Sequence, residues 1–93
     1  MYAISFDLSV QSLQKHYTGN NHTNAYGDIK RFLESKGFSN QQGSVYFGNE
    51  STNAVNTVMA VNALSLEFTW LKLCVTDIRM LRVEENNNLE EAL

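Results

Sequence analysis

The chain has a single cysteine, Cys74. One thiol closes no internal disulfide, and no ligand-type side chains flank it at metal spacing, so neither an oxidising compartment nor a zinc fold is indicated. Cys74 reads as a small buried hydrophobe. Long apolar runs are missing as well. A membrane span takes about 18 consecutive apolar residues, and the N-terminus has no basic region leading into an apolar run of the secretory kind. The expected location is the cytoplasm, with no membrane partner. Positive charge is scarce too, the net charge being −3. Four of the ten acids, Glu84, Glu85, Glu90 and Glu91, fall in the last ten residues, so residues 1–83 hold seven bases and six acids. A near-neutral body with an acidic tail excludes strong nonspecific binding to polyanions, yet leaves room for one local basic site.

What is present is enough for one small domain. A chain of 93 residues buries only roughly 60 to 65 % of its unfolded surface. Modest stability follows, and self-association is a natural way to bury more. The 43 % hydrophobic content still builds a core.

MYAISFDL alternates with a period of two and predicts a strand over 2–8, with Tyr2, Ile4 and Phe6 on one face and Ala3, Ser5 and Asp7 on the other. The polar stretch from Ser9 to about Asn24 predicts a long connection with at most one helical turn. Ala25, Tyr26, Ile29, Phe32 and Leu33 recur at helical spacing, so a helix is expected over 23–36, capped by Thr23 or Asn24 and stopped by Gly37. FSNQQGSVYFGNES predicts a hairpin with strands at 38–41 and 44–48 turning at Gln42 and Gly43. A second helix should run from a Ser51 or Thr52 cap to about Leu64, and its asparagines argue against a strand. LEFTWLKLC is expected to be a short helical turn, and VTDIRMLRVE a strand. Residues 86–93 form an acidic tail outside the domain, loose or briefly helical, within reach of a partner subunit.

Strand, helix, hairpin, helix, strand is the split βαβ order. With right-handed crossovers it predicts an α+β, ferredoxin-like two-layer sandwich over 1–85, the first and last strands side by side at the centre of an antiparallel sheet. Both helices then cover one face, and the other is solvated or paired with a second subunit.

MYAISFDL, AYGDIKRFLESKGF, QGSVYFGN and VTDIRMLRVE, in that order and spacing, resemble the virulence-associated protein D family over residues 1 to about 85. That family is similar in fold to the small CRISPR-adaptation nucleases, which share a first strand ending in aspartate and a Gln-x-Ser-Val-aromatic strand. The resemblance implies a homodimer with endoribonuclease activity, in several bacteria the toxin of a toxin-antitoxin pair, and so an antitoxin protein as a partner. It also implies that Asp7 is the acidic active-site position, that Ser44 and Tyr46 match the second motif, and that Asp77 and Arg79 match a third.

RNA cleavage needs a base for a 2′-hydroxyl or a water, a proton for the leaving oxygen, and positive charge at the phosphate. Asp7 can act as the base or hold a divalent metal, Mg²⁺ being the cofactor expected, and in a dimer two copies of Asp7 can share one ion. A turn-capping, solvated Asp7 is the plainer alternative. Arg79 and Arg82 lie on opposite faces of their strand, and Arg79 is the one expected to bind phosphate, unless it is held by Asp77 or Asp7. Lys15 and His16 are candidates for added charge or an acid at the site. Tyr46 is a candidate to stack a base or, equally, to pack the strand, and the Ser44 hydroxyl can donate to phosphate. The competing functions are a noncatalytic RNA-binding or assembly module and a small-ligand regulatory domain. The tail is expected to cover a partner's cleft or to meet a basic antitoxin.

Overall fold

A computed structural model describes residues 1–93. Its strands are β1 (Tyr2–Leu8), β2 (Phe38–Gln42), β3 (Val45–Gly48) and β4 (Val75–Arg82), and its helices α1 (Val10–His16), α2 (Ala25–Ser35), α3 (Ala54–Glu67) and α4 (Leu71–Cys74). Single 3₁₀ turns occupy His22–Asn24 and Glu90–Ala92.

α1 and α3 begin at side-chain caps, whereas Asn24 before α2 and Trp70 before α4 make no cap hydrogen bond. Ser9 caps α1, its hydroxyl accepting the Ser12 N–H at 3.2 Å, so the polar stretch after β1 holds a full short helix where one turn is expected. α2 buries Ala25, Ile29 and Leu33 along one stripe, and stops at Gly37, whose φ of +90° is open to glycine. α3 is capped by Asn53 in a reciprocal box with Asn56, one residue beyond the expected Thr52. The Thr52 hydroxyl is already spent on the Asn49 carbonyl at 2.7 Å in the preceding turn, which leaves the cap to the next polar residue.

The sheet runs β2-β3-β1-β4, every neighbouring pair antiparallel. This is the ferredoxin-like α+β sandwich. β1 and β4 do lie side by side, from Tyr2 opposite Arg82 to Leu8 opposite Val75, but β4 is an edge strand and the centre belongs to β1 and β3. The hairpin returns β3 to the free side of β1, pairing Ala3 with Phe47 and Ser5 with Val45, and so displaces β4 outward.

The core fills the space between one sheet face and the helices. Ile4 and Phe6 of β1, Phe38 and Tyr46 pack against Ile29, Leu33, Ala60 and Leu64, while Leu13, Trp70, Leu71 and Cys74 close one end. Cys74 is thus the buried hydrophobe its isolation suggested. α3 stays apolar on its outer side as well, with Val55, Val58, Met59 and Leu66 exposed.

The long connection after β1 is tied down at Tyr17. Its ring meets Trp70 edge-on at 5.0 Å, and its hydroxyl donates to Asp28 at 2.5 Å while Arg31 binds the other oxygen of that carboxylate at 2.6 Å. The hydrogen bond to Asp28, then burial, then the carboxylate's charge raise the pKa of Tyr17 above its usual value of 10.0. The folded chain therefore holds this proton more tightly than the unfolded one, a contribution complete below pH ~10 and lost as pH rises through the folded value. Urea unfolding measured from pH 8 to 11.5 should show stability falling at the alkaline end. The fall should be shallower in Tyr17→Phe, and equal slopes would show that this proton does not contribute.

Candidate nucleic-acid interface

The alternation of β1 sends Ile4 and Phe6 into the core and Ala3, Ser5 and Asp7 to the face no helix covers. Residues directly opposed in an antiparallel pair share a face, so the ladder extends that surface in rows. Asp7 stands opposite Asp77, Arg79 lies in line with Ser5 and Val45, and Leu81 with Ala3 and Phe47. Ala3 is fully buried yet lies outside the helix-side core cluster, in keeping with its place between two larger apolar neighbours on the open face.

Asp7 and Asp77 bring two carboxylates together at one end of the β1–β4 ladder. Like charges directly opposed destabilise a sheet, and Arg79 relieves one of them, its Nε lying 3.2 and 3.0 Å from the two oxygens of Asp77. Only Nε is used. The terminal guanidinium nitrogens make no hydrogen bond to the protein, and the side chain is 69 % exposed, so a phosphate can still reach them. The pairing with Asp77 keeps Arg79 on the Asp7 face.

Between Asp7 and Leu8 the register slips by one, leaving Thr76 as an extra residue in β4. A bulge of this kind bends the strand and re-aims its side chains. Here the Thr76 hydroxyl donates to the Asp7 carbonyl at 3.2 Å, tying the bulge to the backbone of the acidic residue.

The other candidates are not all gathered with Asp7. Ser44 reaches β1 through its backbone, its carbonyl accepting the Phe6 N–H at 3.2 Å, but it continues the register opposite Phe6, on the helix side and not on the Asp7 face. Lys15 and His16 occupy the last turn of α1, a seven-residue helix in the helix layer, which carries them roughly 10 Å from its start beside the strand end. Tyr46 faces the wrong way for the role of stacking a base. It opposes Ile4, is 3 % exposed and stacks on Phe6 at 6.0 Å, and its pKa is pushed up chiefly by that burial. It packs the strand, the second of the two roles expected of it. The aromatic on the open face is Phe47, missed because the phase of a four-residue strand is hard to read when aromatics occupy adjacent positions.

No family model matches the chain. It is 45 % identical over 93 residues to the protein named Endoribonuclease VapD 2 of Riemerella anatipestifer, covering 100 % of this chain and 99 % of that protein. The same identity over the same length relates it to the Endoribonuclease VapD homolog of Helicobacter pylori, with 96 % of that protein covered. The chain belongs to the VapD family. The Endoribonuclease VapD of Dichelobacter nodosus is 42 % identical over 85 residues, 91 % of this chain and 88 % of that one.

In this VapD chain no three side chains of His, Cys, Asp or Glu gather into one cluster. Zinc prefers three or four such ligands. Mg²⁺ is different, keeping several waters and taking one or two carboxylates together with substrate phosphate oxygens. The opposed Asp7 and Asp77 fit that need, and a cation there would offset their mutual repulsion.

Proposed function

We propose that this VapD chain is an endoribonuclease that cuts single-stranded RNA on the open face of its sheet, with Asp7 at the reacting phosphodiester. The observation that carries the reading is the Asp7–Asp77 pair with a half-committed Arg79 beside it, exposed on a VapD sheet. Asp7 takes the proton from the 2′-hydroxyl, whose oxygen then forms a bond to phosphorus. The bond from phosphorus to the 5′-oxygen breaks, and that oxygen collects a proton from water, leaving a 2′,3′-cyclic phosphate. Arg79 donates from its terminal nitrogens to the non-bridging oxygens as their charge grows. Asp7 and Asp77 would hold Mg²⁺, which when bound supplies further positive charge at the phosphate.

The working unit in this reading is a cytoplasmic homodimer whose axis runs beside β1 and brings Asp7 toward its copy. Leu81 of β4 is 41 % exposed on the open face, and a second sheet beside β1 would cover it. The same reading makes the chain the toxin of a toxin-antitoxin pair, its antitoxin a protein that blocks this face.

The test is a labelled single-stranded RNA incubated with the purified chain in Mg²⁺ and in EDTA, alongside gel filtration for the dimer. Cleavage in Mg²⁺ that stops in EDTA is expected. Cleavage indifferent to EDTA would remove the metal and keep Asp7 as base. Binding without cleavage in either buffer would favour a noncatalytic RNA-binding module.

A further inference from the structure

Beside the catalytic rows the open face hollows into a cavity of about 500 Å³, within the range of small-ligand sites. Val45 and Phe47 give it an apolar floor, and Gln41, Gln42, Asn86 and Asn87 stand around it. Two features set it apart from an ordinary surface hollow. Successive residues of a regular strand point to opposite faces, yet Gln41 and Gln42 line the same cavity. They do so because β2 carries its own bulge between Asn40 and Gln42, held by the Asn40 amide, which donates to the carbonyls of Gly43 at 2.9 Å and Val45 at 3.1 Å. The second feature is the tail, which leaves β4 at the far edge of the sheet and reaches β2 and β3, where Asn86 and Asn87 complete the wall.

We infer that this cavity is the subsite for one unpaired base of the RNA, and that it sets which base lies next to the cut. The inference rests on the nuclease reading above. A base offers a flat apolar face and an edge of alternating donors and acceptors. Phe47 matches the first by stacking, and side-chain amides, each with a donor and an acceptor, match the second. The side-chain amides of Gln41, Gln42 and Asn86 make no hydrogen bond within the protein, and Asn87 uses only its nitrogen, on Glu85 at 2.9 Å. No lysine or arginine lines the cavity, so it is not a phosphate pocket. That role falls to Arg79. The spacing agrees: Val45 is paired with Ser5, two residues from Asp7, which puts it roughly 8 Å from Asp7 by strand rise and strand separation. One extended nucleotide spans such a gap. A dimer axis beside β1 leaves the β2–β3 side of the face outside the seam.

The experiment measures affinity and cleavage for four short RNAs of one base each, using the full chain, the double variant Gln41→Ala with Gln42→Ala, and Asn86→Ala with Asn87→Ala, after checking that all melt alike. Wild type should separate its best and worst base by about tenfold, the scale of one hydrogen-bonded base contact. Both double variants should compress that spread to about twofold. A base ranking unchanged in both would overturn the subsite while leaving the nuclease standing, and so would a wild type that cuts all four alike. No binding or cleavage of any RNA would remove the nuclease reading and the subsite together.

Discussion

Asp7→Asn lowers RNA cleavage by about 10²- to 10⁴-fold, the usual loss when a positioned base is removed, and makes the fold slightly more stable. The second half of the expectation comes from the sheet. Asp7 opposes Asp77 on β4, and only Asp77 has an arginine to offset its charge. Removing a like charge from a directly opposed pair is worth roughly 0.2 to 1 kcal/mol. Asparagine keeps the size of the side chain, so packing is unaffected. Lower activity with higher stability is the signature of a residue retained for chemistry at the expense of the fold. Single-turnover cleavage and urea unfolding of the same two preparations would read both quantities. Equal cleavage would place the activity elsewhere, and a clear loss of stability would mean that the carboxylate serves the structure instead.

The largest stability effect is expected at the residue next to the start of that same alternation. Ile4 is wholly buried, flanked across β1 by Tyr46 on one side and Met80 on the other, in the cluster that joins sheet to helices. Ile4→Ala removes buried methyl and methylene groups and leaves a cavity in a strand paired on both sides, so the loss should be about 2 to 5 kcal/mol. Small domains have only about 5 to 15 kcal/mol to lose. A Val10→Ala control, at an exposed position, should stay within ~0.5 kcal/mol. Urea midpoints at constant slope give the comparison. A loss under about 1 kcal/mol at Ile4 would mean that the core collapses around the gap.

Much of this was legible because local rules and global packing agreed. The strict alternation of MYAISFDL defines β1 to the residue and places Asp7 on the uncovered face. Gly37 ends α2 where its φ requires, and the β-branched run starting at Val75 opens β4. The failures lie where a nonlocal contact decides. Whether β4 is central or an edge depends on which side of β1 the hairpin returns to, and neither strand records that. The phase of β3 depends on its pairing with Ile4, so Tyr46 turns into the core and Phe47, which the sequence does not single out, stands on the open face. The bulges at Thr76 and Gln41 have no local signal, since they arise from the mismatch of two paired strands. Asp77 was seen as part of a motif, but its partnership with Asp7 appears only in the β1–β4 register.

That register links the first strand of the chain to the last. β1 can pair with β3 and gather much of the core while synthesis continues, but the second carboxylate and the arginine of the proposed site are on β4. At ordinary elongation speeds of ~5–20 residues per second, Asp7 waits several seconds before Asp77 and Arg79 emerge. A nascent chain thus has a nearly complete scaffold and half of a site. Under the function proposed above, a nascent chain would stay inert until Asp77 and Arg79 have emerged to meet Asp7.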